Sequence, residues 1–128
     1  MGSYRIDTDS RPGVLHFTIE GMLTLEDVRE FVAAHNAAVD GFAGRDYVVL
    51  GDLRSMRPLS PEASEAMERA KRHSASQCNF RGSAILVKEG VVALQHRRTS
   101  ISGGVMPTEI ISTSEEECIG HLEQLQRR

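Results

Sequence analysis

Tyr47-Val48-Val49-Leu50-Gly51 is the stretch on which the fold turns. Four apolar residues stand between the charged pair Arg45-Asp46 and a glycine. An apolar run this short and unbroken is the pattern of a strand covered on both faces, as parallel sheets require, so it belongs near the centre of a sheet. Downstream, residues 51–59 read as a loop and Ser60-Pro61-Glu62 as a helix start. Serine caps the exposed amides, proline loses nothing in the first turn, and the acid suits the helix dipole. Ala63, Ala66, Met67 and Ala70 then form an inward stripe small enough to approach a sheet closely. Ser83-Ala84-Ile85-Leu86-Val87 is the next buried strand. Val91, Leu94 and Ile101 mark the inward stripe of a third, more polar helix, stopped by Gly103-Gly104 with Pro107 beyond. Glu109-Ile110-Ile111-Ser112 is a last short strand. Ser114-Glu115-Glu116-Glu117 then caps a final helix carrying Ile119, Leu122 and Leu125.

Upstream, Val14-Leu15-His16-Phe17-Thr18-Ile19 reads as a strand, and the turn-forming Ser10-Arg11-Pro12-Gly13 joins it to Tyr4–Asp7 as a hairpin. Gly21 ends that strand. Thr24-Leu25-Glu26-Asp27 caps a helix whose stripe Leu25, Val28, Val32 and Val39 keeps the 3.6-residue period to about Gly41. Phe31 and Phe42 lie off that stripe and are candidate exposed groups for self-association. The order ββαβαβαβα predicts an α/β fold with a single mixed sheet of four to five strands, parallel except for the opening hairpin.

The 128 residues suit one domain, residues 1–128, with Met1-Gly2-Ser3 readable as an expression scar. Cys78 and Cys118 are too far apart in sequence for a zinc motif and read as free thiols. No apolar run approaches the roughly 20 residues of a membrane span, and the N-terminus lacks a signal-peptide layout, so a cytoplasmic protein without stable membrane insertion is expected.

The hairpin-first order, the Gly after the second strand and the helix-capping Thr together resemble the STAS domain, the fold of anti-sigma-factor antagonists and of sulfate-transporter tails. The stretches that carry the resemblance are Phe17-Thr18-Ile19-Glu20-Gly21, Leu25 to Phe31, and Val48-Val49-Leu50-Gly51-Asp52-Leu53-Arg54. The chain looks most like the divergent stand-alone SpoIIAA-like or STAS/SEC14-like branch, whose members often carry a D-x-R element, here Asp52-Leu53-Arg54. The resemblance implies a bacterial signalling or protein-binding module. In antagonists a Ser at the start of the following helix is phosphorylated. Here that region reads Arg57-Pro58-Leu59-Ser60-Pro61-Glu62, so Ser60 is a doubtful phosphosite. A phosphate there would meet a favourable helix dipole and an unfavourable Glu62.

In open α/β sheets ligands gather beyond the carboxyl ends of parallel strands. Residues 51–60 leave such an end, and Asp52, Arg54, Arg57 and Ser60 could hold a small anion. The plainer reading makes Asp52-Arg54 a local pair and Ser60 only a cap. Arg98, on the stripe with Val91, Leu94 and Ile101, either snorkels outward or points into a polar pocket, and the family resemblance favours an Arg in this helix. His35 reads as a hydrogen-bonded core histidine.

The 15 Lys and Arg against 18 Asp and Glu give a net charge of −3. Arg69, Lys71, Arg72, Arg81, Lys88, Arg97 and Arg98, with Glu89 their one acid, nevertheless make residues 69–98 strongly basic. One aromatic, Phe80, gives no stacking platform, so nucleic acid is not an expected partner. The histidines show no metal-ligand spacing, and no nucleophile elbow, phosphate loop or dinucleotide fingerprint is present, so neither metal nor cofactor is expected. Ser100-Ile101-Ser102-Gly103-Gly104 reads as a helix C-cap. A non-enzymatic regulatory or protein-interaction module is the first reading. The alternative is a domain binding a small anion, nucleotide or lipid with Asp52, Arg54 and Arg98 as polar anchors. An enzyme using those residues has the least support.

Overall fold

The computed structural model describes residues 2–88 and 90–127. Five strands form one sheet in the order β1 (Ser3–Asp7), β2 (Val14–Gly21), β3 (Tyr47–Met56), β4 (Phe80–Leu86) and β5 (Glu109–Ser112). β1 pairs antiparallel with β2, and β2 to β5 run parallel. Among the described residues four helices accompany the sheet: α1 (Leu25–Asp40), α2 (Pro61–Ala75), α3 (Val91–Gly103) and α4 (Glu115–Gln126). A 3₁₀ turn at Met106–Thr108 precedes β5.

The expected mixed sheet is present, with β3 at its centre. Leu15, Phe17 and Ile19 of β2, Tyr47, Val49 and Leu53 of β3, and Ile85 of β4 face α1 and α2 in the larger core. Alternate residues Val14, Val48, Leu50, Ala84 and Leu86 face Cys118, Leu122 and Leu125 of α4 in the smaller one. A Cβ at Gly51 would lie 2.5 Å from the Phe17 ring, so the glycine lets that ring cross β3. The caps follow the sequence signals. Asp27 N–H donates to Thr24 Oγ1 at 3.1 Å and Thr24 N–H to Asp27 Oδ2 at 3.0 Å, while Ser60 and Ser114 accept from Ala63 and Glu117.

Ser3 opens β1 opposite Glu20, while Met1 lies outside the described residues. Two expectations change. β3 continues to Met56, so residues 51–56 are strand rather than loop. Phe31 and Phe42 are buried rather than exposed. Phe31 meets Phe17 edge-on with centroids 5.1 Å apart, and Phe42 stacks on Tyr47 at 4.8 Å. They supply no surface for self-association.

Candidate functional site: the two faces of α3

Asp52, Arg54, Arg57, Ser60 and Arg98 do not gather in one pocket. Asp52 and Arg54 lie on the α4 side of β3, where Arg54 Nε and Nη2 donate to Asp52 at 3.0 and 2.8 Å, and Glu115 of α4 stands 3.8 Å away. The hydrogen bond from Arg54 holds the Asp52 carboxyl below the usual carboxylate range. Arg57 is exposed, and the Ser60 hydroxyl accepts from Ala63 N–H at 3.2 Å. Arg98 is exposed on α3, whose Val92 packs in the core on the opposite side of the sheet from α4.

The basic segment also divides. Lys71 is buried, Arg72 bonds Glu68 at 2.7 Å and Arg81 bonds Asp46 at 3.0 Å, while Arg97 and Arg98 stand exposed. Glu89 lies outside the described residues. His35 is the expected core histidine, its Nδ1 3.0 Å from Asn36 Oδ1 and its pKa lowered by burial.

The larger correction concerns α3. The periodic apolar residues were expected to face inward, yet Val91, Leu94 and Ile101 are 58%, 59% and 58% exposed. The buried face instead carries Val92, His96, Thr99, Ser100 and Gly103. The outward side of α3 carries three aliphatic side chains together with Arg97, Arg98 and Ser102, while its inward side is mostly polar. Arg98 therefore points to solvent with that stripe and not into a pocket.

Polar bonds hold the inward face. Gln95 clamps the segment before α2, accepting from Leu59 N–H at 2.8 Å and donating to Leu59 O at 2.7 Å. Lys71 of α2 donates to His96 O at 3.0 Å, to the Ser100 hydroxyl, and to Glu109 of β5 at 3.5 Å. Ser83 of β4 donates to Glu109 at 2.6 Å, and Ser100 donates to the same carboxylate. Burial pushes the Lys71 pKa down and Glu109 opposes that push. All three ammonium donors have acceptors, so Lys71 is a fastening cation and not a free amine nucleophile. Gly103 is where α3 comes closest to α2: a Cβ there would lie 2.7 Å from Lys71 Cβ.

His96 is the exception within this network. It is 2% exposed, and neither ring nitrogen has a hydrogen-bond partner among the described residues. Burial and the neighbouring Lys71 charge hold its pKa well below the ordinary value, so the ring is neutral. An orphaned buried polar group costs about 1–3 kcal/mol. The Tyr47 hydroxyl and Ser74 Oγ of α2 are also buried without a close hydrogen bond among the described residues; burial pushes the Tyr47 pKa up and the neighbouring Ser74 hydroxyl opposes that push.

Sequence reasoning missed Lys71, Ser83, His96 and Glu109 as a cluster because they come from four separate elements. One local signal was legible: His96, Thr99, Ser100 and Gly103 repeat at helical spacing, a small polar stripe competing with the apolar one for the inward side.

No family model matches the chain, and no curated protein matches it either. Solved structures do. An uncharacterized protein of the DUF3478 family with a SpoIIAA-like fold, from Shewanella loihica PV-4, superposes with a TM-score of 0.67 at 17% identity, over 94% of this chain and 93% of that one. An anti-sigma factor antagonist from Mycobacterium paratuberculosis gives 0.61 at 12% identity, over 96% and 95%. At such identities the likeness concerns the backbone and not the residues of any site, so what it establishes is the SpoIIAA-like, STAS-type fold that the hairpin-first sequence pattern pointed to.

Proposed function

We propose that this protein is a non-enzymatic regulatory module that docks an acidic amphipathic helix of a protein partner on the outward face of α3. The observation that carries this reading is the inversion of α3, which leaves Val91, Leu94 and Ile101 in water while polar groups are buried. Covering those three side chains would contribute about 3–5 kcal/mol. The partner's acidity follows from charge: α3 carries Arg97 and Arg98, both exposed, and no acid. One structure sharing the fold is described as an anti-sigma factor antagonist, which supports a regulatory role by analogy of fold alone.

Docking on α3 is independent of a phosphate at Ser60. That hydroxyl is occupied as a helix cap, Pro61 follows it, and Glu62 would repel an added phosphate. The other reading, a small anion or lipid held by Asp52, Arg54 and Arg98, has less support. Arg54 is engaged by Asp52 and Glu115, and Arg98 stands on another surface.

Site-specific photo-crosslinking in the native host tests the docking face. A photoreactive residue at Leu94 is expected to give an adduct with an acidic helical segment of one protein, and the same residue at Glu123 on α4 is not. Equal adducts from both positions, or none from Leu94, would overturn the reading. An adduct between two copies of this chain would make the interaction self-association instead.

A further inference from the structure

α1 and α2 pack side by side on the sheet, and between them lies a surface cavity of about 280 Å³. α1 contributes Arg29, Val32, Ala33 and Asn36, which share one side of the helix, and α2 contributes Ala66 and Arg69. Val32 and the two short alanines make an apolar floor.

The polar part of the lining donates hydrogen bonds and accepts none. Asn36 Oδ1 stands 3.0 Å from His35 Nδ1, and because an amide oxygen only accepts, the proton is on the imidazole. What Asn36 has left is its NH2. Arg29 and Arg69 are exposed, and neither makes an ion pair among the described residues. Arg72 bonds Glu68, four residues earlier, at 2.7 Å, whereas Arg69 stands in the same relation to Glu65 and makes no such bond. Glu26, Glu30, Glu62 and Glu65 lie on the same two helices, and none of them lines the cavity. A space with a guanidinium from each helix, an amide donor and no acid has the chemistry of an anion site.

We propose that this groove binds a small phosphate monoester, its phosphate held by Arg29 and Arg69 and its organic body resting on Val32, Ala33 and Ala66. A doubly charged phosphate uses both guanidiniums, whose planar forks match its oxygens, and the Asn36 NH2 supplies a further donor. A carboxylate carries one charge and would leave one guanidinium without its counter-charge. The volume suits a phosphate with a body of about three to five carbon atoms. The site lies apart from the α3 docking stripe and shares no residue with it.

Three probes separate these requirements. Propyl phosphate has both charge and body, inorganic phosphate has the charge without the body, and butyrate has the same propyl body on a single charge. NMR titration of the intact protein at low salt is expected to give saturable shifts of the Arg29 and Arg69 Nε–H and Asn36 side-chain amide signals with propyl phosphate at millimolar concentration. Binding of inorganic phosphate should be several-fold weaker, and butyrate should give no shifts there. Arg29→Gln and Arg69→Gln should each weaken propyl phosphate binding about tenfold, and both keep the fold because the side chains are already in water. Arg72→Gln, outside the cavity, should leave binding unchanged. Absence of saturable shifts, or butyrate or inorganic phosphate bound as tightly as propyl phosphate, would overturn the proposal. So would undiminished binding in either Arg29→Gln or Arg69→Gln, or an equal loss in Arg72→Gln.

Discussion

α2 and α3 lie side by side, yet they are held in place by opposite means. α2 buries Ala63, Ala66, Met67 and Ala70 and turns most of its charged residues to water, the arrangement an amphipathic helix ordinarily takes. α3 exposes its aliphatic stripe and buries a histidine, a threonine, a serine and a glycine. Apolar area fixes α2. Hydrogen bonds to Gln95, Lys71 and Ser100, together with the close approach that Gly103 permits, fix α3. Such bonds are directional and contribute only while every partner is present, whereas apolar contacts degrade gradually. A helix held this way can keep its apolar side free for another protein.

The sharpest way to break the contrast is to remove one member of the buried ion pair. Glu109→Leu leaves the Lys71 ammonium buried without its carboxylate, and urea denaturation should show a loss of about 3–5 kcal/mol. The double variant Lys71→Met/Glu109→Leu should recover most of that loss. A harmless single variant would mean that α3 is not held through this pair. Next, Met67→Ala on α2 should cost about 2–4 kcal/mol through its cavity. Its effect is expected to fall on global stability, leaving hydrogen exchange in α3 no faster relative to the rest of the chain. For Glu109→Leu, α3 amides should exchange first.

Acid provides a third, smaller test. His96 and His35 both have pKa values lowered by burial from the ordinary 6.5, so the unfolded chain takes up protons before the folded one does. Their contribution is therefore fully present above about pH 6.5 and is lost as pH falls below it, at up to about 1.4 kcal/mol per pH unit for each ring. Urea midpoints compared at about pH 7.5 and about pH 5.5 should show this loss, and His96→Leu should reduce the slope. An unchanged slope would place the sensitivity elsewhere. Smallest of all is the expected effect of Leu94→Asp on folding, within about 0.5 kcal/mol, because the side chain is already in water. A large loss of stability there would mean that the outward stripe serves the fold rather than a partner.

Strand and helix positions were largely legible because each rests on local signals. Thr24, Ser60 and Ser114 cap where capping residues should, and Tyr47–Leu50 is the covered central strand. β3 outran its reading because its last six residues alternate partly polar side chains, with Leu53 and Met56 buried and Arg54 and Ser55 exposed. The unbroken apolar run ends where the smaller core on the α4 side ends, and the strand continues beyond it. Asp52 and Arg54 were legible as a pair because they are two residues apart on one side of that strand.

The orientation of α3 lay beyond the sequence. A 3.6-residue period states which residues share a side, and it does not state which side meets the protein. Two stripes competed, Val91-Leu94-Ile101 and His96-Thr99-Ser100-Gly103, and hydrophobicity alone favours the first. What reversed the outcome was Lys71 of α2 and Glu109 of β5, which bond His96 O and the Ser100 hydroxyl of the second stripe, with Ser83 of β4 holding the Glu109 carboxylate in place. The sequence by itself determined the elements, their order and their caps, because those depend on neighbours along the chain. Only the tertiary structure decided which face of α3 is buried and where a cavity remains, because those depend on whether distant polar groups find partners.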